Sequence, residues 1–451
     1  MSIDHGNHRE KRDSFKSKWG FILACIGSAV GMGNIWMFPT RVSKYGGGAF
    51  LIPYFLFVAI LGFSGVIGEM AFGRATRTGP VGAFRKAMES RGWNGRVGAA
   101  LGMIPVLGSL ALAIGYSVVV GWILKYMIGA FTGTALAPAD IAGFGAAFER
   151  TASPYQGNDL WQTIALLICF GIMAFGIGKG IEKANKVMMP AFFLLFIVLV
   201  VYVAVQPSAA EGYRYIFSVD TSAFRDPMTW VYALGQAFFS LSLAGNGTLI
   251  YGSYLSDDED IISSAWKVAL FDTLAAMLAA LTIIPAMAYA GSRLQSGGPG
   301  LLFIFIPFIF KSMPGGHALI MLFFVAVMCA GLTSLINLYE TPIATVQNQV
   351  GLSRRQAVVL VATIGIVTSI CIQGIVDSWM DFVSIYVCPL GAAMAGILFY
   401  WVFGPTYVRT QLQCGRRSVI GRWLDPMTRY VFCGLTLFVF VIGCIVPGGI
   451  G

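Results

Sequence analysis

The sequence predicts an all-α integral membrane protein of eleven transmembrane helices, two of them discontinuous. Three observations carry that expectation: an apolar composition, eleven runs of bilayer length, and two runs broken by glycine at matching places. Of 451 residues, 57% are hydrophobic and 11% charged, far from the balance of a soluble domain. The runs fall at about 20–43, 49–72, 98–129, 160–178, 187–205, 228–254, 261–290, 317–347, 357–376, 380–404 and 427–447. A bilayer core takes about 20 apolar residues per helix, so each run is taken as one span. The first is too long and too glycine-rich for a cleaved signal peptide and is expected to stay in the mature protein.

The net charge of +9 follows topology rather than a nucleic-acid partner. Basic residues crowd the N-terminal tail (Arg9, Lys11, Arg12, Lys16, Lys18) and the loop after the second run (Arg74, Arg77, Arg85, Lys86, Arg91, Arg96). Others sit before span five (Lys179, Lys183, Lys186), after span eight (Arg354, Arg355) and after span ten (Arg409, Arg416, Arg417, Arg422). The loop 130–159 holds only Arg150. Alternate loops are basic, which places the N-terminus in the cytoplasm of a cell with this chain in its inner (plasma) membrane. Eleven spans leave the C-terminus outside. The chain then divides into a cytoplasmic tail (1–19), a first five-helix block (20–206) and an extracellular loop (207–227). A second five-helix block (228–404), a cytoplasmic loop (405–426) and a last span with its extracellular end (427–451) follow.

Enzyme chemistry finds no footing. The eight cysteines, at 25, 169, 329, 371, 388, 414, 433 and 444, lie mostly inside apolar runs without a CxxC pair, as core thiols do. His5, His8 and His317 stand in the tail and at a span edge, so no metal cluster or histidine-based triad can be assembled.

The breaks are more informative. "GSAVGMGNIW" (27–36) places Gly27, Gly31 and Gly33 in the first run, each costing about 1 kcal/mol relative to alanine in a helix interior. "GQAFFSLSLAGNGTLIYGSY" (235–254) interrupts the sixth run in the same way. These are the first spans of two consecutive five-span blocks. Paired, glycine-interrupted segments in corresponding halves point to an inverted-repeat secondary transporter. A helix broken at the midplane frees carbonyls at one side of the break and N–H groups at the other. The former can ligate a bare cation and the latter a carboxylate.

In order along the chain stand "GSAVGMGNIWMFP", "GGGAFLIPY", "GEMAFGR", "GQAFFSLSL", "CAGLTS" and "MDF". On these motifs, and over nearly its whole length, the chain resembles the neurotransmitter:sodium symporter family. The resemblance implies a LeuT-type fold of five plus five inverted repeats and one extra helix. Spans one, two, six and seven form a mobile bundle in that fold, against a scaffold that includes three, four, eight and nine. It also implies two Na⁺ ions. One is held by the carbonyl of Ala29, the side chains of Asn34 and Ser240, a span-seven residue and the substrate carboxylate. The span-seven residue is Asp272, with Phe271 as the neighbouring register. The other ion uses carbonyls of Gly27, Val30 and Ala330 with the hydroxyls of Thr333 and Ser334. Both sets are oxygen-only, as a hard cation requires.

By the same resemblance Tyr116 and the main chain around Met32 and Gly33 take a substrate carboxylate, and carbonyls of Phe239, Ser242 and Ala29 take the ammonium. The side-chain pocket is lined by Met32, Leu112, Phe239, Gly245, Asn246 and Leu338. Gly245 replaces a phenylalanine found in related sequences and leaves room for a large side chain. Ser28 stands where amine carriers of the family have an acidic residue, which favours a substrate with its own carboxylate. Tyr54, Gln236 and Ser240 keep parts of the family's chloride site, yet Ala276 lacks the expected hydroxyl. A carboxylate at a helix centre costs about 2.5–3.5 kcal/mol and marks function. Asp272 would make chloride redundant, so no chloride requirement is expected.

Glu69 is implied as a brace for the unwound part of span six. At the outer gate Met37 replaces an arginine whose partner Asp381 remains, and Arg41, one turn on, is expected to reach Asp381 or Asp377. At the inner gate Arg12 and Tyr254 fit, with Phe15 for a tryptophan and Asn348 for an aspartate. The implied activity is sodium-coupled import of hydrophobic, aliphatic and aromatic L-amino acids across a lipid bilayer by alternating access. The alternative is a sodium-coupled carrier of another small zwitterion or amine. A channel would need a continuous polar pore, whereas the polar residues converge on two midplane breaks.

Overall fold

The structure is a computed structural model that describes residues 13–155, 157–243, 246–291 and 298–446. Its described residues are helical, joined in one place by an isolated antiparallel bridge between Gly47 and Val219. Every predicted run falls on a helix or a helix pair. Span one is Lys18–Ala29 followed by Gly33–Lys44, bent by 56°. Spans two and three are Gly48–Thr76 and Gly95–Thr132. Span four, Asp159–Ala174, is shorter, and span five is Ile177–Ala204. Span six is Pro227–Ser240 followed by Gly247–Gly252. Spans seven to eleven are Ile261–Tyr289, Gly316–Val350, Arg354–Cys371, Gln373–Phe403 and Leu424–Ile445. Length and composition alone qualify eight helices as spans, or nine with the bent first pair. Span four and the two halves of span six bring the arrangement into line with eleven.

Local chemistry sets the ends that matter for function. Span one starts at Ser17, whose side chain accepts from the Gly20 N–H at 3.0 Å, an N-cap. Glu182 on span five fastens that start. Its carboxylate accepts from the Lys16 N–H at 2.6 Å, the Ser17 hydroxyl at 2.9 Å and Lys186 at 2.6 Å. The inner half of span one packs on spans five, seven and eight, and span eight packs along span three. The short half of span six lies on span two at backbone distance. A Cβ on Gly73 would stand 2.0 Å from the Leu249 carbonyl, and one on Gly252 would stand 2.4 Å from that of Met70. Glycine at both places permits the approach.

Helices in the loops were not anticipated. Leu301–Ser312 is apolar but too short to cross a bilayer, and Pro80–Glu89 and Ile141–Ala152 are amphipathic connectors.

Candidate functional site

In span one the backbone ladder stops where Val30 turns extended, at φ −71° and ψ 107°, which frees carbonyls of the last turn. Span eight answers this break. The Ser334 hydroxyl lies 2.9 Å from the Val30 carbonyl and 3.1 Å from that of Gly27, its proton shared between them. Thr333 beside it bonds back to Cys329 at 2.9 Å and Ala330 at 3.1 Å in its own helix. A Cβ on Gly27 would stand 2.8 Å from that of Thr333, so only glycine lets the two spans close here. Gly27, Val30, Ala330, Thr333 and Ser334 thus form one buried group of oxygens between spans one and eight.

A second group links spans one, six and seven. The Asn34 amide donates to Asp272 Oδ1 at 2.7 Å, to the Asp272 carbonyl at 3.2 Å and to Ser240 Oγ at 3.1 Å. The Ser240 hydroxyl donates to Asp272 Oδ2 at 2.6 Å. All three side chains are buried. The register on span seven is therefore that of Asp272, since Phe271 faces Phe193 at 5.6 Å between ring centres. Asn34 Oδ1 accepts from the Gly31 N–H at 3.1 Å. To offer a cation this oxygen, the amide must turn over, because its NH₂ can only donate.

Between the two groups lies a cavity of about 440 Å³. Ala29, Met32, Gly33, Leu112, Tyr116, Phe239, Ser242 and Leu338 line it, together with Asn34, Ser240 and Ser334. The Tyr116 hydroxyl accepts from the Met32 N–H at 3.3 Å, and Ser242 donates to the Ser28 carbonyl at 2.7 Å, joining the two breaks. Ser242 and Asn246 hold positive φ of 57° and 50°, a conformation that non-glycine residues adopt at a cost. Asn246 does not line the cavity. Its buried amide lies next to Gly391 of span ten, and neither of its polar atoms is hydrogen-bonded among the described residues. Gly245 lies outside the described residues.

The cavity also takes in Trp122, Asn337 and Met380, which sequence reasoning missed. Asn337 donates to the Gly247 carbonyl at 3.3 Å, and an amide next to Leu338 in an apolar run was the available signal. Glu69 meets span six as implied, accepting from the Thr248 hydroxyl.

The gates differ from expectation. Asp377 and Asp381 stand at one end of the cavity, but Arg41 reaches neither. Its guanidinium donates to Gln236 Oε1 at 3.1 Å and lies over the Tyr232 ring at 5.4 Å, while Gln236 donates to the Gly33 carbonyl at 3.0 Å. The cause is helical phase: Gly33–Met37 forms a wide π-type turn, which rotates position 41 toward span six. The other end is closed by aromatic rings, with Phe15 edge-on to Phe21, Tyr251 and Tyr254 at 5.4, 5.5 and 6.4 Å. Behind them Tyr254 donates to Glu340 at 2.7 Å, and Arg354 grips both Glu340 oxygens at 2.7 Å each. Arg12 lies outside the described residues, and Asn348 is exposed. The ion pair at this end is thus Glu340–Arg354, which the sequence reading did not pair.

Removing one partner of a buried ion pair costs about 3–5 kcal/mol. Glu340→Gln should therefore loosen this closure. In a background with the exposed cysteines 371 and 444 replaced by serine, Cys25, buried in span one, should become reactive to a membrane-permeant thiol reagent. An unchanged labelling rate would show that the pair does not hold the closure.

Comparison with known proteins agrees with this geometry. The model of the sodium:neurotransmitter symporter family matches residues 12–139 and 154–447. The crystal structure of MhsT in complex with L-phenylalanine aligns with a TM-score of 0.85 at 33% identity, over 96% of this chain and 99% of that one. An uncharacterized sodium-dependent transporter of Bacillus subtilis (strain 168) is 34% identical over 337 residues, 75% of this chain and 73% of its own. Another, from Methanocaldococcus jannaschii, is 30% identical over 432 residues, 92% of this chain and 86% of its own. This membrane protein is a transporter rather than an enzyme, and it belongs to the sodium:neurotransmitter symporter family.

Proposed function

We propose that the chain imports hydrophobic L-amino acids, aliphatic and aromatic, with two Na⁺ ions and without chloride, by alternating access. The observation that carries this reading is the cavity between the two breaks. It has a tyrosine hydroxyl and main-chain groups at its polar end and Met32, Leu112, Phe239 and Leu338 along its walls. Such a site offers a carboxylate and an ammonium their partners through hydroxyl and main-chain groups, with Asp377 and Asp381 at one end, and leaves the rest of the ligand apolar surroundings. Its volume is within the usual range for a small-molecule pocket. The similar structure of MhsT was solved with L-phenylalanine, a ligand of this class.

The Ser334–Thr333 group and the Asn34–Ser240–Asp272 group are the two sodium sites in this reading, the ion at the Asn34–Ser240–Asp272 group also touching the substrate carboxylate. Basic loops orient the N-terminus to the cytoplasm and the C-terminus to the outside of the plasma membrane. Spans 20–206 and 228–404 act as the two repeats.

Competition for bound radiolabelled phenylalanine tests the substrate class. Leucine, tyrosine and tryptophan should displace it, whereas the decarboxylated amines should not, since Tyr116 would have no carboxylate to bind. Displacement by amines as strong as by amino acids would favour the other carrier class instead. Gly245→Phe should weaken tryptophan far more than alanine in the same assay, and an equal loss at all sizes would remove Gly245 from the pocket.

A further inference from the structure

Asn185 on span five is buried, and no group among the described residues donates to its Oδ1. The amide orientation is fixed, because Nδ2 donates to the Ile181 carbonyl one turn back at 2.9 Å. The oxygen is therefore held toward span one with nothing donating to it. Its position is narrow: a Cβ on Gly27 would stand 2.2 Å from Asn185 Oδ1 and 3.1 Å from Thr333 Oγ1. Both oxygens thus face the same side of Gly27, one from span five and one from span eight. A carbonyl oxygen without a donor is costly in a buried place, and an amide oxygen is a good ligand for a hard cation.

We infer that Asn185 is an additional oxygen ligand for the sodium ion of the Gly27–Ser334 group, contributed by span five. The inference rests on the assignment of that group as a sodium site. It gives a role to the polar side chain buried between Ile181 and Met189. It also ties the ion to span five, so that ion occupancy bears on the contact between spans one and five. With Glu182 fastening the start of span one three residues before Asn185 on the same helix, span five holds the inner half of span one at both its start and its break.

The test uses the purified full-length protein and reads the sodium concentration that half-saturates phenylalanine binding, together with direct binding of radioactive Na⁺. Asn185→Leu keeps the size and removes the oxygen. It should raise the half-saturating sodium roughly tenfold, the scale of one charge-assisted contact, with phenylalanine binding at saturating sodium retained. Asn185→Asp keeps an oxygen there and should hold sodium affinity at or above that of the parent. Should Asn185→Leu fail to fold, Asn185→Ala makes the same comparison without bulk. Thr333→Ala is the control for the site itself. If Thr333→Ala shifts the sodium dependence and the Asn185 variants do not, the inference about Asn185 is overturned while the site stands. If Thr333→Ala leaves sodium dependence unchanged too, the site assignment itself fails. Loss of phenylalanine binding at saturating sodium that aspartate does not restore would show a packing role and overturn the inference as well.

Discussion

Replacing Thr333 and Ser334 together by alanine should abolish sodium-dependent binding of hydrophobic amino acids. Ser334 is the side chain that joins the broken end of span one to span eight, through the Gly27 and Val30 carbonyls. In the proposed reading its loss removes a sodium ligand, and it leaves two buried carbonyls without the donor they share, a cost of about 1–3 kcal/mol. Thr333 supplies the neighbouring oxygen. Two lost ligands at that scale lower affinity by about a hundredfold or more. A sodium titration of bound phenylalanine reads this directly. Half-saturation at the parent's sodium concentration would show that the ion binds elsewhere.

The second large effect concerns charge at Asp272. Uptake by the parent protein should be indifferent to replacing chloride with gluconate, since in the proposed reading the Asp272 carboxylate balances the sodium ion beside it. Asp272→Asn removes the charge but keeps an oxygen for sodium, so binding should weaken rather than vanish. Chloride should then restore part of the activity. The surroundings suit an anion once the carboxylate is neutral: Ser240 loses its acceptor, and Gln236, one turn before Ser240 on span six, accepts from Arg41. Tyr54 is buried against Phe38 at 4.7 Å between ring centres. Adding Ala276→Ser supplies one more hydroxyl and should strengthen the rescue. Chloride-stimulated uptake by the parent, or full activity of Asp272→Asn without chloride, would refute the charge-substitution account.

Much of this was legible in the sequence because the bilayer allows few solutions. An apolar run of span length must satisfy its own backbone, so it is a helix. A glycine-rich interruption in such a run is costly and marks a site. Ser334 opposite Gly27 and Asn34 opposite Asp272 then came out of the resemblance as contacts. What the sequence hid were distances between side chains far apart in the chain. Glu340 and Arg354 are separated by the turn between spans eight and nine, and Arg354 was counted only among the basic residues of that loop, while Glu340 drew no reading. Arg41 was misdirected because the wide turn at Gly33–Met37 shifts helical phase, which a regular 3.6-residue period does not reveal. Leu301–Ser312 is apolar for the reason a span is, yet too short to be recognised as one. Asn246 was expected on the cavity wall, and its left-handed backbone turns the amide toward span ten instead. Asn185 gave no signal at all, because its significance depends on the absence of a Cβ on Gly27.

The coupling of two sodium ions to one amino acid is tested most directly by accumulation in proteoliposomes with the membrane potential clamped at zero. Each ion moving down a tenfold gradient contributes about 1.4 kcal/mol, so two ions support about a hundredfold accumulation of phenylalanine. With the clamp released, uptake of the zwitterion should carry net positive charge inward and gain about 2.3 kcal/mol per charge for each 100 mV of inside-negative potential. Accumulation that follows the square of the sodium gradient is the predicted result. Accumulation that follows its first power would leave only one coupled ion, and accumulation without any sodium gradient would contradict the account.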